Sequence, residues 1–193
     1  LRPLVDAGLV APTLPVSALS ITGYSGGGKK MIEQYQASPK EQVLTSPRPY
    51  GLTLGHKHIP EMMAHTGLAA RPILMPGVAD FYKGLAVQVP LHLSQLKPGT
   101  TPEVLQAVLE QRYAGERFVR VKPLRDAATL EGAGGYFDVQ ACNDTNRCDL
   151  FVFPGQGQSL LVARLDNLGK GASGAAVQAM NVHLGVEESL GLV

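Results

Sequence analysis

An α+β fold, with helices on one face of a sheet, is the fold class this sequence predicts, and three observations carry the prediction. Short runs rich in Val, Leu, Ile and Phe recur along the chain and read as strands. Only a few helical stretches separate them, too few for the strict strand–helix alternation of a parallel α/β fold. Finally, 22 Gly and 14 Pro among 193 residues imply many turns without low-complexity disorder.

Taken in order, Leu1, Leu4, Val5 and Leu9 fall at helical spacing, so the chain opens on the tail of an amphipathic helix stopped near Gly8. An apolar face already in phase at residue 1 suggests a piece of a longer protein. Residues 16–22 predict a strand, which runs into Gly23-Tyr24-Ser25-Gly26-Gly27-Gly28-Lys29-Lys30, a flexible loop. Residues 38–49 carry three prolines and read as irregular. A helix is expected over residues 61–68, with Pro60 at its first position. In residues 85–93, Leu85, Val87, Val89, Leu91 and Leu93 alternate with smaller or polar residues, a strand with one buried face. Pro90 puts that strand near an edge or a strand end. Thr101-Pro102-Glu103 caps a helix that runs to about Tyr113. Residues 118–121, 136–142, 150–153 and 159–166 are further strand candidates, and residues 171–184 read as a closing helix.

Composition narrows the function classes. The formal net charge of +1 argues against a dedicated nucleic-acid binder, which carries a basic excess. No apolar run approaches the roughly 18–20 residues of a membrane span, and no signal peptide opens the sequence. Cys142 and Cys148 are too few for a disulfide scaffold or a zinc site, and they fit a reducing, cytoplasmic compartment. Cys142, on an apolar run, reads as an inert core thiol.

Three polar blocks stand out. In Gly55-His56-Lys57-His58-Ile59-Pro60-Glu61 the two histidines lie two apart and lack the helical spacing with an intervening Glu that a zinc hydrolase uses, so no metal is expected. One histidine can serve as a general base near neutral pH, with Glu61 fixing its tautomer; a solvated turn before a helix is the plainer alternative. The glycine-rich stretch at 23–29 fails the phosphate-loop pattern because Lys30 follows Lys29, although glycine N–H groups and Lys29 suit an anion as well as a simple turn. Asp166-Asn167-Leu168-Gly169-Lys170-Gly171-Ala172-Ser173-Gly174 joins a strand to a helix and allows either close backbone approach of a ligand or close packing of the helix start.

In order and spacing, these three blocks together with Tyr50 resemble the N-acetyl-gamma-glutamyl-phosphate reductases of arginine biosynthesis, in their shorter form. The resemblance spans nearly the whole chain but only the carboxyl-terminal part of the family protein. It implies the catalytic and dimerisation domain of the semialdehyde dehydrogenases, a mixed and largely antiparallel sheet with helices on one face. Residues 1–165 would form that domain. Residues 166–193 would be a terminal loop and helix packing on the family's amino-terminal nucleotide-binding domain, and the assembly would be a homodimer or homotetramer.

The implied reaction is reduction of N-acetylglutamyl 5-phosphate by NADPH to N-acetylglutamate 5-semialdehyde and phosphate. A cysteine thiolate displaces phosphate, and the thioester then accepts hydride more readily than a carboxylate would. By resemblance His56 exchanges the proton, with His58 as second candidate, and Glu61 orients the ring. Ser25 and Tyr50 line the substrate pocket, and Lys29 attracts phosphate. Asn167 touches the nicotinamide carboxamide, with Gly169 and Gly171 close to the cofactor. The family's nucleophilic cysteine falls before residue 1, and neither Cys142 nor Cys148 matches it. The chain alone is therefore expected to be inactive, binding NADP weakly at most. A non-catalytic dimerisation module, or a reductase for aspartyl or aminoadipyl phosphate, are the competing expectations.

Overall fold

The computed structural model of the chain describes residues 1–131 and 134–193. From the amino end come α1 (Arg2–Asp6), β1 (Ser17–Gly23), α2 (Gly28–Gln36), β2 (Arg48–Pro49) and α3 (His58–Thr66). Then follow β3 (Ile73–Ala79), β4 (Leu85–His92), α4 (Pro102–Tyr113), β5 (Val119–Val121) and α5 (Ala127–Glu131). Last are β6 (Cys148–Gly155), β7 (Gln158–Leu165) and α6 (Gly174–Leu184). The strands form one sheet in the order β2-β3-β1-β4-β7-β6-β5. The β1/β3 and β5/β6 pairs are parallel and the other four antiparallel, so the sheet is mixed and largely antiparallel as expected.

Alternation along the strands sorts the two faces. On the inner face Ala18, Leu74, Val89, Leu91, Leu161 and Val152 meet Leu4 of α1, Ile59 of α3, and Leu105 and Leu109 of α4. Leu4, Ile59 and Leu105 are fully buried, each contributing about 1.5–3 kcal/mol by removal from water. The outer face is half covered. Phe137 and Val139 pack on Ala86, Phe151 and Val162, whereas Leu19, Ile73 and Met75 toward the β3 edge stay exposed. Arg164 pins this covering segment. Its guanidinium donates to Asp149 (3.0 Å) and to the Asp138 carbonyl (2.9 Å), and lies 5.0–5.1 Å from the Phe151 and Phe137 rings.

Several sequence expectations need correction. Residues 23–30 are not a flexible loop: a 3₁₀ turn over Tyr24–Gly27 leads into α2, whose Met31 and Tyr35 pack on Val78 one turn apart. One buried side chain, Tyr35, and a half-buried Met31 in nine residues leave little apolar periodicity to read. Helix α3 begins at His58, so Pro60 is its third residue rather than its first, and Gly67 ends it with a left-handed φ of 78°. Residues 136–142 are no strand, because local turns and arginines take their backbone groups. Asp138 accepts from the Gln140 N–H, Asn143 donates to the Gln140 carbonyl, and Arg147 donates to the Ala141 carbonyl. Strand β3 was not expected, since Pro76 and Gly77 interrupt it in sequence. Pro76 is tolerated beside the two-residue edge strand β2, where its carbonyl accepts from the Tyr50 N–H (2.9 Å).

Strand β4 is central rather than an edge, but Pro90 lies past Gln88, where pairing with β1 stops, so the strand-end alternative holds. Helix α4 matches its expected span, and Thr101 Oγ1 accepts from the Val104 N–H (3.4 Å). The closing helix starts at Gly174, after a π-helical turn over Gly169–Ser173 in which Ser173 N–H reaches the Leu168 carbonyl. Helix α5 was not expected either. No helix among the described residues is long and apolar enough to cross a membrane.

Candidate active site

The inner face carries the core along one end of its central strands and a cavity of about 560 Å³ along the other. Its floor is Ser20 and Thr22 of β1, Leu74, Pro76 and Val78 of β3, and Leu85 and Val87 of β4. Gly26, Gly27 and Met31 at the start of α2 form one wall. Tyr50, His56, Lys57, His58 and Met62 form the second, and Asn167 and Gly171 close the third. Three stretches far apart in sequence thus converge: β1 and β7 run the same way and deliver their following loops to this end of the sheet, whereas β2, antiparallel to β3, runs the opposite way and its following loop with α3 lines the cavity from the side.

His56 precedes α3, and its ring stands 4.7 Å from that of His58 and 6.0 Å from that of Tyr50, centroid to centroid. The backbone N–H of His58 donates to His56 Nδ1 (3.2 Å). A nitrogen that accepts carries no proton, so the neutral ring holds its hydrogen on Nε2. Loss of solvent, then the positive charges of His58 and Lys57, push the His56 pKa down, and Glu61 opposes this. Glu61 makes no hydrogen bond to the ring among the described contacts; it is exposed in the first turn of α3 and outside the cavity wall. In this structure the described hydrogen bond to the ring comes from the His58 N–H.

Asn167 braces the opposite wall. Its Oδ1 accepts from the Gly84 N–H (2.7 Å), and its Nδ2 donates to Ser25 Oγ (3.0 Å). Ser25 is accordingly buried behind the wall rather than lining the cavity. One amide hydrogen and one carbonyl lone pair of Asn167 remain, the complement that a carboxamide needs. Gly169 and Gly171 meet tight packing within the protein itself, and Gly171 also lines the cavity. A Cβ at Gly169 would sit 2.8 Å from the Thr145 carbonyl, and one at Gly171 3.0 Å from Leu165 Cδ1. Lys29 points to solvent, with its side chain 90% exposed beside Glu33, and does not reach the cavity.

Asp166, missed in the sequence reading, anchors this wall. Its carboxylate accepts from the N–H groups of Asp144 (2.9 Å) and Leu168 (2.8 Å), and Lys83 Nζ lies 3.6 Å away. Burial alone would raise its pKa, but those N–H donations and Lys83 outweigh it and hold the carboxyl below its ordinary value. The cysteines lie elsewhere. Burial raises both thiols, Cys148 to about 12, so neither is a thiolate at neutral pH. No group of three or more potential metal ligands occurs among the described residues.

A family model described as the semialdehyde dehydrogenase, dimerisation domain, matches residues 1–167. The chain belongs to that family. Among its relatives, N-acetyl-gamma-glutamyl-phosphate reductase 2 of Nostoc sp. is 45% identical over 99% of the chain and 61% of the relative. N-acetyl-gamma-glutamyl-phosphate reductases of Pseudomonas putida and Rhizobium etli are 44% and 46% identical, over 60% and 59% of their lengths. The semialdehyde dehydrogenase domain described here thus spans about three-fifths of the relatives it matches. Its fold is shared with aspartate semialdehyde dehydrogenase II of Vibrio cholerae at a TM-score of 0.68 and 16% identity, over 95% of this chain and 58% of that one.

Proposed function

We propose that this chain is the catalytic part of an NADP-dependent reductase that converts N-acetylglutamyl 5-phosphate to N-acetylglutamate 5-semialdehyde and phosphate in the cytoplasm. The observation that carries the reading is the convergence of His56 and Asn167 on one cavity, in a chain about 45% identical to reductases so named. In the complete protein a nucleotide-binding domain precedes this chain, and the nucleophilic cysteine opens the helix of which α1 is the tail, just before residue 1. The apolar side chains that α6 leaves exposed, Met180 and Leu184 one turn apart, suit packing against that domain. The exposed Leu19, Ile73 and Met75 suit a second copy in a homodimer.

NADPH, when bound, supplies the hydride. This chain's residues handle the proton. His56, kept neutral by its lowered pKa, accepts the thiol proton as sulfur attacks the acyl carbon and the phosphate oxygen leaves. The lone pair available for this is that of Nδ1, so the His58 N–H, which donates to it at 3.2 Å, must move off Nδ1 as the ring takes the proton. The imidazolium then returns the proton to the substrate oxygen as the thioester carbonyl is reduced, and the resulting thiohemiacetal collapses: the hydroxyl proton passes back through His56 to sulfur, the C–S bond breaks, and the semialdehyde leaves the regenerated thiol. Asn167 offers its remaining amide hydrogen and lone pair to the nicotinamide carboxamide, and Lys57 puts a positive charge at the mouth where the phosphate departs.

Phosphate-dependent formation of NADPH from N-acetylglutamate 5-semialdehyde and NADP⁺, measured on the complete protein, tests the reading. Absence of NADPH formation with all three reactants present refutes it.

A further inference from the structure

The cavity floor has a polar group without a hydrogen-bond partner among the described residues. Ser20 is 8% exposed, yet its hydroxyl makes no hydrogen bond to any described residue, and it lines the cavity. Its cross-strand neighbours are Pro76 and Val87, and Leu74, Val78 and Leu85 complete the same floor. Thr22, two residues on, differs: its Oγ1 lies 3.4 Å from the carbonyls of Gly23 and Gly84. A hydroxyl left open at the base of an apolar recess lacks a partner only until a ligand supplies one.

We infer that Ser20 is a specificity-determining residue that hydrogen-bonds the acetamido group of the substrate, an inference that rests on the reductase reading above. The substrate has three polar ends: an acyl phosphate, a carboxylate and a neutral acetamide. No cationic side chain is part of the floor, so a carboxylate or phosphate there would be buried without a counter-charge, at a prohibitive cost. The acetamide is the end that fits, its methyl on Leu74, Val78 and Leu85 and its amide on the Ser20 hydroxyl. The charged ends then lie toward the mouth, where Lys57 and the two histidines stand. Discrimination of this kind is strong when a site is built to bond a polar group, because the analogue lacking it strands the buried partner.

The test compares two substrates on the complete protein: N-acetylglutamate 5-semialdehyde, and the analogue with propyl in place of the acetamido group. Each is oxidised with phosphate and NADP⁺, and the readout is the ratio of their kcat/KM values. Ser20→Ala is expected to lower the wild-type preference for the acetamido substrate roughly tenfold, the size of one buried hydrogen bond. Ser20→Thr, which keeps the hydroxyl, is expected to keep the preference. An unchanged ratio in Ser20→Ala, with the wild type active, overturns the assignment of Ser20 alone. A wild type that oxidises neither substrate overturns the reductase reading, and this inference with it.

Discussion

The backbone N–H of His58 donates to Nδ1 of His56 at 3.2 Å, so the residue that starts α3 sets the tautomer of the ring just before it. The same two turns of chain hold Lys57 and His58 close enough to disfavour a charged His56. A neutral base at working pH is the consequence.

That arrangement predicts a pH–rate profile. If neutral His56 is the active form, kcat/KM of the complete protein rises with pH through a midpoint below about 6.5, the ordinary histidine value. Initial rates across pH 4.5–8 check this. A midpoint above about 6.5 would mean that a different group controls the acid limb.

Asp166 makes a separate prediction about stability. Its folded carboxyl is held below the ordinary aspartate value of 3.8, so it stabilises the fold above that pH, and the contribution is lost as pH falls through the depressed folded value. Denaturant unfolding at several acidic pH values should show this loss, and Asp166→Asn should flatten it. Asp166→Ala, which strands the N–H groups of Asp144 and Leu168, is expected to cost about 3 kcal/mol at neutral pH.

Gly23 ends β1 under the Tyr82–Lys83 backbone. A Cβ there would lie 2.5 Å from the Tyr82 carbonyl oxygen, which belongs to backbone and cannot turn aside. Gly23→Ala is expected to destabilise by about 1–3 kcal/mol and to lower Tm by several degrees. Calorimetry that finds an unchanged Tm would show that the Tyr82 loop shifts freely.

The thiols provide a chemical check. With both raised by burial, Cys142 and Cys148 should resist alkylation by iodoacetamide near pH 7.5 in the folded chain. Both should label on unfolding. Rapid labelling of either in the native chain would reopen its assignment as an inert thiol.

What could be read from the sequence, and what could not, follows from the range of the interactions. Helix α4 was legible, its start at Pro102 and its end near Tyr113, because Thr101, Pro102 and a run without breakers act locally. Strands β4, β6 and β7 were legible from alternation and β-branched content. Strand β3 was not, because Pro76 is allowed only by its place beside β2, a fact of sheet order. Residues 136–142 have strand-like composition, but Arg164, 26 residues away, takes the Asp138 carbonyl, and the nearby Arg147 takes that of Ala141. In the site, the cluster around His56 stood out by residue type, whereas Asp166 and Ser20 are ordinary until neighbours distant in sequence are placed around them. Ser25 and Asn167 were singled out separately, and their mutual hydrogen bond, across 142 residues of chain, was visible only in the fold.

The most direct test of the account is the turnover of the complete protein with His56→Ala, assayed with N-acetylglutamate 5-semialdehyde, phosphate and NADP⁺. The account predicts a drop in kcat of ~10²–10⁴ with an unchanged unfolding midpoint, as expected for loss of a general base that lines the cavity and is not part of the buried core. Turnover equal to the wild type would contradict it, and the proton would have to be carried by another group.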